Sequence, residues 1–144
     1  MPGFLGTKAS FLSDITLISQ IAILLLLLMG YRYKKARKLR EHGLAMATAV
    51  LFHVVVIFLV MVPSLAKNVG ALGNISSAGV IITWIHAIAG ILAVIMGLFL
   101  VTAWRFTPPP YLACVKRKVF MRPLLILWVF VLILGISFYT YYYL

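Results

Sequence analysis

The chain has 144 residues, of which 65% are hydrophobic and 10% charged, with 13 Lys and Arg against 2 Asp and Glu for a net charge of +11. Soluble domains run at roughly 45–50% apolar and about 25% charged, and a core of this size has no room for so much apolar surface. A soluble enzyme, a disordered tail and a disulfide scaffold are excluded, the last also by the single cysteine, Cys114, and an integral membrane protein remains.

A membrane span needs about 20 mostly apolar residues, and four such runs follow one another, none with Lys, Arg, Asp or Glu inside it. The first covers about 15–30 and ends at Gly30. Its leader holds only Lys8, and the large basic cluster follows it, the reverse of a signal peptide. A retained helix with its N-terminus outside is therefore expected. Arg32, Lys34, Lys35, Arg37, Lys38 and Arg40 fill the next connection, and the second span covers about 43–62, up to Pro63. The third covers about 77–101 and is followed by Pro108-Pro109-Pro110; Asn74-Ile75-Ser76 before it has the pattern of a glycosylation acceptor. Arg105, Lys116, Arg117, Lys118 and Arg122 lead into the fourth, about 123–142.

Eleven basic residues thus lie in the first and third connections against two, Lys8 and Lys67, on the opposite side. The positive-inside rule places the basic connections in the cytoplasm and both termini outside. The basic charge accordingly speaks for topology and anionic headgroups rather than nucleic acid. Short spacers predict one all-α domain over 1–144, an antiparallel four-helix bundle in the cell membrane. Tyr31, Tyr33 and Trp104 suit an inner aromatic belt, and Tyr139, Tyr141, Tyr142 and Tyr143 an outer one.

Polar groups inside spans are costly and face a bundle interior. Here they include Ser19, Gln20, Thr48, His53, Thr83, His86, Ser137 and Thr140. His53 lies nine residues before Val62 and His86 nine after Ser77, which is about 13 Å of helix in each case. Two imidazoles at matched depth on neighbouring helices suit both axial positions of a haem iron, or a metal ion with further ligands. His86, Gly90, Ala93 and Gly97 share one helix face with little side-chain volume, where a porphyrin or a closely packed helix would lie. His42 shares a stripe with Met46, Ala49 and His53, and is expected as an inner ligand, a proton relay or an interfacial group. Basic neighbours would lower the thiol pKa of Cys114. The only acids, Asp14 and Glu41, sit at span ends, which disfavours carboxylate catalysis and transport through buried acids.

Three segments carry a family resemblance: His42-Gly43-Leu44-Ala45-Met46 leading to His53, Trp84-Ile85-His86-Ala87-Ile88-Ala89-Gly90, and Lys116-Arg117-Lys118 followed by an aromatic-rich span with Gly135. With these, the stretch from about Ile18 to Tyr143 resembles the YozB/CtaM-type four-helix membrane proteins linked to assembly of haem–copper cytochrome oxidases. Where that family often has a further His in the last basic cluster, this chain has Arg117, so an inner site shared with His42 would lack that ligand. The residues alone predict a small b-type cytochrome with haem b, or secondarily copper, held by His53 and His86 beside Gly90 and Gly97, with His42 further in. The resemblance implies cofactor delivery to a respiratory oxidase complex. A cofactor-free subunit anchoring a larger membrane complex is the rival reading, and a small transporter a distant third; no enzyme activity is expected of the chain by itself.

Overall fold

The first helix, α1 (Phe11–Lys35), starts at Ser10, whose hydroxyl accepts the Ser13 amide at 3.3 Å, with Asp14 in its first turn. Both features offset the unpaired amides and partial positive charge of a helix start. The structure is a computed structural model that describes residues 3–68, 78–106 and 110–143. The Asn74-Ile75-Ser76 acceptor, the expected start of the third span at Ser77, and Pro108-Pro109 lie outside the described residues.

Gly30 does not end α1. The helix runs on through Arg32, Lys34 and Lys35, cations that its carbonyl end favours. Three residues, Ala36 to Lys38, then turn the chain, with Arg37 in the left-handed region at φ 60°. The second helix, α2 (Leu39–Val56), is followed by a π-helical turn, Ile57–Met61, and by α3 (Val62–Asn68). The wide turn has a local cause: Pro63 brings no N–H and would crowd the carbonyl of Leu59, and a π turn relieves both. Next come α4 (Ala78–Phe106), the short α5 (Pro110–Lys116) and α6 (Lys118–Tyr143). Pro123 lies inside α6 rather than at its start.

Four segments are long and apolar enough to cross a membrane: Phe11–Lys35, Leu39–Ala66, Gly79–Phe106 and Lys118–Tyr141. Each of the four expected spans is matched by one of them, extended at the basic end. Helix α1 packs on α2 and α6, and α4 packs on α6 and α2. Ile23, Leu27, Ala49, Val50, Ala93, Leu100, Leu124, Trp128 and Leu132 form the shared core. Much of the remaining apolar surface points outward, as with Ile81, Ile88, Ile91, Ile95 and Phe99 along α4. Water would not tolerate so long an apolar face, whereas lipid chains match it.

One end of the molecule is closed by a polar knot. The Asp14 carboxylate accepts the amides of Phe4 (2.7 Å) and Leu5 (2.9 Å) and the Tyr139 hydroxyl (2.5 Å). Thr7 shares the Tyr139 hydroxyl, and the Lys8 amide reaches the Tyr143 carbonyl. The other end, where the basic clusters lie, is open to a cavity.

Candidate functional site

At the basic end, α1, α2, α4, α5 and α6 border a half-open cavity of about 590 Å³, within the usual range for small-molecule sites. Leu27, Val50, Leu100 and Leu124 form its apolar walls; Lys34, Lys35, Lys118 and Arg122 add four cations; and His42, Met46, Trp104 and Cys114 also face it. The result is amphiphilic: hydrocarbon inside, positive charge around.

His42 reaches this place because the three-residue turn brings the first turn of α2 beside the end of α1. Its Nδ1 lies 2.9 Å from the Gly30 carbonyl and its side chain is buried. With Nδ1 engaged by a carbonyl oxygen, Nδ1 carries the proton and Nε2 the lone pair, the arrangement that orients a ligating imidazole. Two glycines make the walls possible. A Cβ on Gly30 would collide with the methyl end of Met46, and a Cβ on Gly43 with the Trp104 indole. The indole therefore lies directly on the α2 backbone, and its buried Nε1 has no hydrogen-bond partner. Cys114 departs from expectation: it is buried, and desolvation pushes its thiol up in spite of nearby Lys34.

His53 and His86 both pack against α6. The His53 ring packs edge-on to Trp128 at 5.4 Å between centroids. His86 packs against Gly135, where a Cβ would lie 3.2 Å from its Cε1. Trp128 and Gly135 are seven residues apart on α6, about 10 Å along the helix, and the two imidazoles lie near enough to interact electrostatically. The glycine face is not bare. At Gly97 a Cβ would meet Trp128 at 2.9 Å and Val50 at 3.1 Å, at Gly90 it would touch Val131 at 3.8 Å, and Ala93 is 1% exposed. Of the two expected occupants, a porphyrin or a closely packed helix, it is helix α6, with Val50, that lies on this face. Gly97 is thus a close helix-contact residue, and Gly90 meets α6 more loosely at Val131. The Nδ1 atoms of both rings, both amide atoms of Gln20 and Nε1 of Trp128 are nonetheless buried without hydrogen-bond partners.

Sequence reasoning assigned Trp104 to the aromatic belt and missed its place in a cavity wall. It also missed Gly30 and Gly43 as the positions that admit Met46 and Trp104. Nothing local in the sequence relates residue 43 to residue 104. Among the described residues there is no cluster of three His, Cys, Asp or Glu side chains suited to a metal ion.

Fold and site together define a helical protein with four segments long and apolar enough to cross a membrane and an amphiphilic cavity at its basic end. Comparison of the chain with protein-family models, curated proteins and solved structures gives no match, so the chemistry of its own residues carries the functional reading.

Proposed function

We propose that this is a small b-type haem-binding membrane protein that holds haem b in the basic-end cavity through His42, and that serves electron transfer or cofactor delivery during assembly of a haem–copper oxidase. The observation that carries the reading is His42 itself. It is an imidazole pinned through Nδ1 to the Gly30 carbonyl, in the lining of an apolar cavity that also carries four cations. The residues fit the group. The apolar walls would suit a macrocycle, the cations would suit two carboxylates, and a ligand that brings four nitrogens of its own would need only an imidazole, that of His42, from the protein. When bound, haem would supply one-electron chemistry at its iron. The chain's own part is to orient His42 by the Gly30 carbonyl, to exclude water with Leu27, Leu100 and Leu124, and to hold the carboxylates with Lys34, Lys35, Lys118 and Arg122. His42 as the sole histidine ligand suits a carrier that must release its cargo. The same reading runs the four spans antiparallel in the cell membrane, cavity and basic connections on the cytoplasmic side, both termini outside.

A second reading keeps His53 and His86 as ligands, favoured by their unpartnered Nδ1 atoms; it requires α6 to move. Copper is the lesser alternative, for which His42, Met46 and Cys114 offer nitrogen and soft sulfur donors around one cavity. Absorption spectra and metal analysis of the detergent-purified protein, titrated with haemin, separate these readings. Loss of the Soret band in His42→Ala, with His53→Ala and His86→Ala unaffected, is the expected result. A low-spin two-imidazole spectrum lost in His53→Ala and His86→Ala would move the site to that pair. A wild-type protein that stays colourless with haemin overturns the haem reading and leaves the anchoring subunit.

A further inference from the structure

We propose that the mouth of the basic-end cavity is a binding site for an anionic phospholipid, which enters from the bilayer through a slot between α1 and α6; the site needs no haem and stands apart from the reading above. The exposure of the lining residues places the mouth. Tyr31 and Lys35 on α1 and Lys118, Arg122 and Ile126 on α6 are exposed, whereas every lining residue on α2, α4 and α5 is buried or half-buried. The cavity therefore opens sideways, between α1 and α6, and is closed toward the other helices. The fold gives a reason. Hydrogen bonds from Tyr139 to Asp14 and from Ser13 to Tyr143 tie α1 to α6 at the far end of the molecule, while at the basic end the cavity lies between them.

The slot has the length and polarity of a lipid in one leaflet. Lys118 and Ile126 are eight residues apart on α6, and Leu27 and Lys35 eight apart on α1, about 12 Å of helix on either wall. Half of a membrane's hydrocarbon core is roughly 15 Å. Ile126 is 71% exposed, so the deeper end of the mouth meets acyl chains, and Leu27 and Leu124 continue that apolar surface inward. The shallower end is cationic, with Lys34 and Lys35 on one wall and Lys118 and Arg122 on the other. Lys35 Nζ stands 5.3 Å from the centre of the Tyr31 ring, at the mouth itself. Neither acid of the chain counters these charges. Asp14 is bound into the knot with Tyr139 at the other end, and Glu41 is exposed and outside the lining. Free phosphate would leave the apolar slot unfilled, and a zwitterionic lipid would bring a cation of its own against four others. A phospholipid of net negative charge matches both ends, and each basic residue beside an anionic headgroup favours it roughly fivefold.

The test is quenching of tryptophan fluorescence by brominated lipid. Trp104 and Trp128 line the cavity, and Trp84, the third tryptophan, is 43% exposed and outside the lining. The full chain as Trp84→Phe therefore reports on the cavity. Phosphatidylglycerol and phosphatidylcholine with the same dibrominated chains are titrated in a neutral detergent, without haemin. Phosphatidylglycerol should quench saturably, at a concentration roughly tenfold or more below that of phosphatidylcholine. Lys118→Gln/Arg122→Gln should raise its half-quenching concentration by about tenfold or more. Arg32→Gln/Arg40→Gln, which removes two exposed cations outside the lining, should leave it unchanged. Excess inorganic phosphate should not reverse the quenching. Equal quenching by the two lipids overturns the inference. So does an equal loss in both double variants, which reduces the preference to general surface charge, and so does full reversal by phosphate, which leaves a site for the free anion. Thermal unfolding is followed for each variant; should the Lys118/Arg122 pair not fold, Arg122→Gln alone, a change of one exposed side chain, carries the comparison. Because haemin is absent throughout, failure here leaves the haem reading standing, and a protein that stays colourless with haemin leaves this site standing.

Discussion

Asp14 shows how much one side chain can hold. Its carboxylate gathers two backbone amides of the N-terminal segment and the Tyr139 hydroxyl from α6, 125 residues away. All three partners are donors, and a carboxylate is acceptor-only, so the charge state matters as much as the shape. In Asp14→Asn an N–H₂ group would face a donor, leaving at least one buried hydrogen bond unmade. The variant is expected to unfold several degrees below the wild type in detergent, and Tyr139→Phe to show a smaller loss. An unchanged midpoint in Asp14→Asn would mean that the knot does not hold the two helix ends together. The core polar groups contrast with it: Gln20 and His53 are buried as well, yet both amide atoms of Gln20 and Nδ1 of His53 have no hydrogen-bond partner.

Among the elements, α4 carries two glycines that look equivalent in sequence and are not equivalent in packing. Gly97 lies under Trp128 and against Val50, with only 2.9 and 3.1 Å for a Cβ, whereas Gly90 leaves 3.8 Å to Val131. Overpacking a tight core contact costs roughly 1–3 kcal/mol, while replacing a helix glycine by alanine where space exists gains up to about 1 kcal/mol. Gly97→Val should therefore lower the thermal midpoint clearly, and Gly90→Ala should leave it unchanged or raise it. Equal effects at both positions would contradict the seating of α6 on α4. The elements also explain why span ends were misjudged. Gly30 reads as a helix stop, but it lies inside α1 because close approach of Met46, not chain reversal, requires a missing side chain. The reversal falls instead on Arg37, a residue type that favours helix.

For the whole molecule, the question is which end faces the cytoplasm. Eleven of the thirteen basic residues lie between Arg32 and Arg40 or between Arg105 and Arg122, and translocation of so much positive charge is disfavoured. Single-cysteine variants on a Cys114→Ser background should be labelled from outside in intact cells at Lys8→Cys and Lys67→Cys. Lys35→Cys and Lys116→Cys should react only after the membrane is opened. Labelling of Lys35→Cys in intact cells would invert the molecule and put the cavity on the opposite side, where delivery to a cytoplasmic-face acceptor would be ruled out.

Four long helices, their order and the clustering of charge were legible in the sequence, because apolar run length and Lys/Arg placement are properties of contiguous residues. The three histidines, too, stood out as rare polar groups in apolar spans. What the sequence alone left undecided was which of them meets which neighbour. The depth of His53 and His86 was counted from the ends of their spans, but the ends extend into α3 and the basic connections, and a π turn shifts the register after Val56. The contacts of the two rings with Trp128 and Gly135 on α6 come from the tertiary structure alone. The small-residue face of α4 suited either a porphyrin or a closely packed helix, since composition shows that a side chain is missing and not what fills the gap; α6 packs there. The basic-end cavity belongs wholly to the tertiary structure. It exists because Gly30 and Gly43 admit Met46 and Trp104 from positions 16 and 61 residues further along the chain, and no local pattern records a contact over such a distance.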